Sequence, residues 1–164
     1  MKILITGGKT ATSLKLTKAF DQAVIILGDY GDAPSIKVNA YEFVSLGPWN
    51  GEVLAHNLLT KCLDYGIDVL LPLYTAEIKA VSKSLLLFEE FGLKVLLPAP
   101  DQLDEFLDGK LTKQWGVFDN GMTINASLLD DEALSKALSA NLNGAYYFDT
   151  ETSGFALVSI ADPQ

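Results

Sequence analysis

The chain has 164 residues, of which 49% are hydrophobic and 20% are charged, a composition typical of one globular domain rather than a collagen-like, coiled-coil or disordered chain. The formal net charge of −9 disfavours a nucleic-acid partner, because neutralising phosphates needs a cationic surface. All 12 basic residues are lysines, so the arginine fork that usually binds carboxylate or phosphate is absent. No apolar run reaches about 18 residues, which predicts no membrane partner. The lone cysteine, Cys62, indicates a reducing, cytoplasmic compartment.

Taken in chain order, the first part of the sequence alternates apolar runs with helical patterns. Most of the runs are continuously apolar, which favours a parallel sheet covered by helices on both faces. We therefore predict an α/β fold over residues 1–115, a Rossmann-like three-layer α/β/α arrangement around a five-stranded parallel sheet. Strands are predicted at 2–6, 23–27, 42–46, 68–73 and 94–97, and helices at 10–20, 52–65, 76–91 and 101–107.

Residues 116–164 are predicted to form a C-terminal β-α-β-β extension packed on the same domain. Its strand is placed at 122–128 and its helix at 130–142. A β-hairpin over 144–160 follows, rich in aromatic and β-branched residues. This hairpin either extends the sheet or pairs with another subunit, so a homodimer through residues 144–160 is one hypothesis.

A Gly-Gly-Lys-Thr run follows the first predicted strand and opens the first predicted helix. Backbone N–H groups and the helix dipole favour an anion at such a turn, which makes Gly7, Gly8, Lys9 and Thr10 candidate ligand-binding residues. The run lacks the earlier glycine of a Walker A loop, because Ile3 stands there, and it lacks the later glycines of a dinucleotide fingerprint. A tight strand-to-helix turn that needs glycine explains the run equally well.

Further polar residues follow other strands at the same predicted edge of the sheet. Asp29 ends the second strand, near the place where a Rossmann acid would bind a ribose hydroxyl, although a turn-forming role also fits it. Tyr74, Thr75 and Glu77 follow the fourth strand and are the other candidate ligand-binding groups. Thr75 is predicted to cap the next helix, and Glu77 suits the positive first turn of that helix.

The rest of the sequence offers few groups for catalysis. His56 is the single histidine, has no nearby cysteine or aspartate ligand, and is predicted to face solvent or to pack. Cys62 is predicted to be a small core residue. We accordingly predict no metal site, and no catalytic residue can be assigned.

The first 115 residues carry a family likeness in the runs KILITGG, VIILGDYGDAP, GIDVLLPLYTAEIKAV and GLKVLLPAPDQLDEFLDGKLTKQW. In order and spacing they resemble the pre-ATP-grasp domain, the N-terminal domain of ATP-grasp ligases of the carbamoyl phosphate synthase large-subunit and biotin carboxylase type. In those ligases ATP and Mg²⁺ make an acyl phosphate, and this domain supplies one wall of the substrate crevice. The resemblance implies that Lys110 contacts nucleotide phosphate.

The residues after Lys110 are too few for the ATP-grasp lobes. We therefore expect a stand-alone domain without ligase activity of its own, a non-catalytic accessory module. It would bind a small anionic molecule at Gly7-Gly8-Lys9 or dock onto a separate ATP-grasp chain. The alternative is a small enzyme that binds ATP or NAD(P) in the crevice, with Lys9, Asp29, Glu77 and Lys110 as its working groups. The cofactor is unknown, since ATP and Mg²⁺ are implied by the resemblance alone.

Overall fold

The first part of the chain forms a five-stranded parallel sheet. The computed structural model describes residues 1–32, 37–107, 109, 112–126 and 129–163. The strands are β1 (Lys2–Ile5), β2 (Val24–Asp29), β3 (Glu42–Ser45), β4 (Val69–Leu71) and β5 (Lys94–Val95). Their order in the sheet is β3-β2-β1-β4-β5, and neighbouring strands are parallel. The predicted Rossmann-like α/β class is confirmed.

Helices cover both faces of this sheet. Leu16 at the end of the first helix packs on one face against Ile3 and Ile5, whereas Leu58 of the second helix packs on the other face with Leu4. This alternation along β1 is the period of two that a strand imposes. The helices are α1 (Ala11–Leu16, continued by a 3-10 turn at Thr17–Ala19), α2 (Leu54–Asp64), α3 (Thr75–Ser82), α4 (Leu85–Glu90), α5 (Leu103–Leu107) and α6 (Asp131–Ala140).

The prediction of one long helix over residues 76–91 is wrong, because the chain breaks between α3 and α4. Ser84 leaves the helical conformation with φ −120° and ψ 17°. Ser82 ends α3 and Ser84 is the N-cap of α4, a position that serine favours. After the break Phe88 is fully buried, while Leu86 is 69% exposed.

The C-terminal part forms a second, antiparallel sheet with the strands β6 (Gln114–Asp119), β7 (Met122–Ala126), β8 (Gly144–Asp149) and β9 (Gly154–Leu157). Their order in the sheet is β7-β6-β8-β9. The strand β6 was not predicted, because Gly116 interrupts its short apolar run. The predicted hairpin is present and pairs with β6 of the same chain. Its second strand ends at Leu157 rather than Ile160.

Residues 158–160 link the two sheets. The Val158 N–H donates to the Ala145 carbonyl of β8, and the Ile160 N–H donates to the Leu73 carbonyl beyond β4. The predicted boundary after residue 115 falls inside β6, and the division into two units stays a prediction. A homodimer through the hairpin likewise stays a prediction.

The hydrophobic core runs through both sheets. Phe118 of β6 and Tyr146 of β8 belong to the same buried cluster as Leu4 of β1. On the opposite face Val117 packs in the cluster that contains Ile5. Because apolar burial is shared, unfolding of one sheet would expose side chains of the other.

We expect Phe118→Ala to lower the free energy of unfolding by about 3–5 kcal/mol, since Phe118 is fully buried. Met122→Ala is the control, because Met122 is 63% exposed, and we expect a change within about 0.5 kcal/mol. Urea titrations followed by far-ultraviolet circular dichroism and by tryptophan fluorescence measure both. The shared core predicts coincident transitions, and two separate transitions with only one shifted by Phe118→Ala would contradict it.

Candidate functional site

The carboxyl ends of β1 and β4 form the crevice in which α/β sheets usually bind ligands. The strand order reverses between these two strands, which is the topological switch point. Thr6 follows β1, and its hydroxyl oxygen accepts from the Leu73 N–H at 2.8 Å. The two strand ends are thus tied together by a side chain at the base of the crevice.

Glu77 lies at the centre of this region and is fully buried. Its carboxylate accepts the Thr6 hydroxyl at 2.6 Å, the Tyr30 hydroxyl at 2.5 Å and the Tyr74 N–H at 3.2 Å. Burial raises the pKa of Glu77 to about 7, and these three hydrogen bonds oppose the rise. The group therefore changes its charge near neutrality.

A second carboxylate, Asp29, ends β2 and is 3% exposed. It accepts the Lys9 N–H at 2.9 Å, the Tyr30 N–H at 2.8 Å and the Tyr74 hydroxyl at 2.7 Å. The two carboxylates are joined through the tyrosines, since Tyr30 donates its hydroxyl to Glu77 and Tyr74 donates its hydroxyl to Asp29. The result is one buried polar network.

Both tyrosines are held as protonated donors. Burial and then Glu77 raise the pKa of Tyr30, whereas burial and then the hydrogen bond to Asp29 raise the pKa of Tyr74. Trp49 packs edge-on against both rings, at centroid distances of 4.8 Å to Tyr30 and 5.6 Å to Tyr74. This aromatic packing fixes the hydroxyl groups towards the carboxylates.

Three N–H groups of the Gly-Gly-Lys-Thr turn donate to groups of the same chain. Gly8 donates to the Gly28 carbonyl, Lys9 donates to Asp29, and Thr10 donates to the Gly7 carbonyl. The Thr10 hydroxyl accepts the Ser13 N–H, so Thr10 is the N-cap of α1. The Lys9 ammonium group donates to the Tyr30 carbonyl at 3.0 Å. An internal carboxylate, that of Asp29, thus binds at this turn.

The C-terminal segment covers the crevice. The Ile160 carbonyl accepts both the Thr75 N–H and the Thr75 hydroxyl at 3.1 Å. The Asp162 carboxylate accepts the Ala76 N–H at 2.8 Å. The prediction that Thr75 caps α3 is therefore wrong. Tyr74 is the N-cap and makes no side-chain capping hydrogen bond, whereas the Glu77 carboxylate in the first turn accepts the Tyr74 N–H.

Gly7 lies directly under this segment. Its φ of +65° is strained for any residue with a side chain, and a Cβ atom there would lie 2.4 Å from Ile160 Cδ1. The turn favours glycine, and a side chain at position 7 would have to displace the end of the Ile160 side chain.

The structure brings together Asp29 and seven other predicted site residues, namely Gly7, Gly8, Lys9, Thr10, Tyr74, Thr75 and Glu77. Lys110 lies outside the described residues. The sequence reading missed Thr6, Tyr30, Trp49, Ile160 and Asp162. Thr6 precedes Gly7 and Tyr30 follows Asp29, so both could have been predicted from their position at the end of a strand. The last two come from a distant segment, and no local signal indicates them.

His56 and Cys62 make no hydrogen bond to Glu77 or Asp29. His56 is exposed on α2. Cys62 is fully buried, as predicted, and burial raises the pKa of its thiol to about 12. Among the described residues, no three histidine, cysteine or acidic side chains cluster as metal ligands would. In the same part of the chain, no helix has the length and apolar character needed to cross a membrane.

Comparison with known proteins adds no relative to these observations. No protein-family model matches the sequence, and no curated protein matches it. The site must therefore be interpreted from its own geometry.

We expect Glu77→Gln to remove a pH dependence of stability. The pKa of Glu77 is raised from an ordinary value of 4.5 to about 7, so the folded state binds this proton more tightly than the unfolded chain. The associated stability is complete below about pH 4.5 and is lost as the pH rises through about 7, a change on the order of 3 kcal/mol. Urea titrations over this range measure it.

Glu151→Gln is the matched control for this pH experiment, because Glu151 is an exposed glutamate in the β8–β9 turn. This variant should keep the pH profile of the wild type. If Glu77→Gln also keeps that profile, Glu77 does not titrate as described.

We expect Gly7→Ala to destabilise the protein more than Gly31→Ala. Both glycines have a positive φ, and alanine there costs about 1–2 kcal/mol. Only at Gly7 does the new methyl group also meet Ile160, whereas nothing lies within 4 Å of the corresponding position at Gly31. Thermal and urea unfolding of both variants give the comparison. The extra destabilisation by Gly7→Ala should vanish when Ile160 is also replaced by alanine. Equal destabilisation by Gly7→Ala and Gly31→Ala would show that the Ile160 side chain does not restrict position 7.

Proposed function

We propose that the chain is a non-catalytic accessory module of the pre-ATP-grasp type, which acts by binding a partner protein. The observation that carries this proposal is the engagement of the crevice carboxylates with their own chain. Glu77 is fully buried and Asp29 is 3% exposed. A general base must reach the proton that it removes, and here both groups instead accept hydrogen bonds from Thr6, Tyr30, Tyr74 and Lys9.

The hydrogen bonds of the N–H groups in this turn also favour a protein partner over a small anion at Gly7-Gly8-Lys9. The N–H groups of Gly8, Lys9 and Thr10 all donate within the chain. An anion at this turn would have to displace Asp29 from the Lys9 N–H. A separate ATP-grasp chain as the partner is what the family resemblance adds, and the proposed phosphate contact of Lys110 rests on that resemblance alone.

One observation favours the alternative of a small nucleotide-binding enzyme. A buried carboxyl group with a pKa of about 7 beside a tyrosine hydroxyl is the kind of perturbed group that functional sites contain. In that reading ATP or NAD(P) would occupy the switch-point crevice after the C-terminal segment had moved, and Lys9, Asp29 and Glu77 would face it.

Isothermal titration calorimetry of the purified chain with Mg·ATP, ADP, NAD⁺, NADP⁺ and S-adenosylmethionine separates the two readings. The accessory proposal predicts no saturable heat from any of the five. Saturable binding that Glu77→Gln or Lys9→Ala weakens at least tenfold would overturn it in favour of the enzyme. The Glu151→Gln variant controls for the loss of one acidic side chain.

A further inference from the structure

The C-terminal segment pairs with backbone groups in the crevice. The Ile160 N–H donates to the Leu73 carbonyl at 2.8 Å, and the Ile160 carbonyl accepts the Thr75 N–H at 3.1 Å. Tyr74 and Ile160 thereby form a parallel β-bridge. Alternating backbone donors and acceptors of this kind are also what binds an extended peptide to a protein backbone.

One apolar side chain makes this pairing specific. Ile160 packs over Gly7, whose missing side chain leaves the space that Ile160 Cδ1 occupies. Any side chain at position 7 would enter that space. We call the surface formed by Gly7, Leu73, Tyr74, Thr75 and Ala76 the crevice groove.

One acidic side chain gives the groove a second point of recognition. Two positions after Ile160, the Asp162 carboxylate binds the Ala76 N–H at the start of α3. A negative charge is stabilised there by the helix dipole. The N–H groups of Tyr74, Thr75 and Ala76 are satisfied by Glu77, Ile160 and Asp162 in turn, so the segment supplies two of the three acceptors.

The outer end of the segment is exposed to solvent. Val158 is buried and Ile160 is partly buried against both core clusters, whereas Ala161 and Asp162 are exposed. Opening such a segment exposes less apolar surface than global unfolding does and therefore costs less free energy.

We propose that the crevice groove is a docking site for an extended segment of a partner protein. This segment carries an apolar residue followed two positions later by Asp or Glu. Residues 158–163 occupy the groove in cis and are displaced when the partner binds. The proposal rests on the proposed accessory function and names the chemistry of the partner.

A synthetic peptide of residues 157–163 with blocked ends tests this in trans. The receptor is the full chain with Ile160→Pro and Asp162→Ala, which removes the N–H group at position 160, the side chain over Gly7 and the carboxylate. Nuclear magnetic resonance should show saturable shifts of the Gly7, Thr75 and Ala76 amides. We expect at least tenfold weaker binding to the wild type, because a tethered tail competes at an effective concentration of about millimolar.

Two controls keep the test specific. A peptide with alanine at the positions of Ile160 and Asp162 should not bind. The Glu151→Ala chain, which loses an exposed acid away from the groove, should behave like the wild type. Unchanged exchange protection of the Ile78 and Leu96 amides, which donate to Tyr74 and Leu70, shows that the receptor is folded.

Each other outcome overturns the proposal. No saturable shift in the folded double variant, or equal affinity for variant and wild type, would make the contact purely structural. Acetate or phosphate producing the same shifts at the same affinity would make a small anion the ligand. A dimer in sedimentation that the double variant loses would make a second copy the occupant. Nucleotide binding in the calorimetry experiment would instead overturn the proposed accessory function.

Discussion

The carboxyl group of Glu77 accepts hydrogen bonds from three separate pieces of the chain. The Thr6 hydroxyl comes from the end of β1, the Tyr30 hydroxyl from the end of β2, and the Tyr74 N–H from the start of α3. Hydrogen bonds inside a protein are stronger than in water, and an unpaired buried carboxyl group is correspondingly costly. The geometry of the crevice therefore depends on all three donors being present together, and loss of one would disturb the others.

The parallel sheet was predictable because its strands carry their own signal. Runs such as Ile3–Ile5 and Val69–Leu71 are apolar throughout, and burial on both faces is what a central parallel strand requires. The same logic failed at β6, where Gly116 interrupts a short buried run and no alternation marks a strand. The break between α3 and α4 could not be predicted either, because Leu85–Phe88 continues the apolar pattern of a helix. In the structure Phe88 is buried, whereas Leu86 is exposed.

The site was predictable as far as chain topology reaches. Residues that follow parallel strands meet at one edge, and on that ground Gly7, Asp29 and Glu77 were expected to lie together. Their roles were not predictable, since whether a carboxylate faces a ligand or accepts a neighbour's hydroxyl depends on side chains such as Tyr30. The contact of Asp162 could not be predicted from the sequence. Asp162 binds the Ala76 N–H only because residues 158–160 cross from the antiparallel sheet to the parallel sheet.

The contact between Ile160 and Gly7 joins residues from nearly opposite ends of the chain, and synthesis delivers them at different times. Thr75 and Ala76 leave the ribosome well before Ile160 and Asp162. At about 5–20 residues per second, the delay is roughly ten seconds. All strands of the parallel sheet precede residue 96, so they leave the ribosome before the antiparallel sheet that shares their core. The crevice groove can be covered only after residues 158–162 have been made, and these residues follow the whole of the shared core.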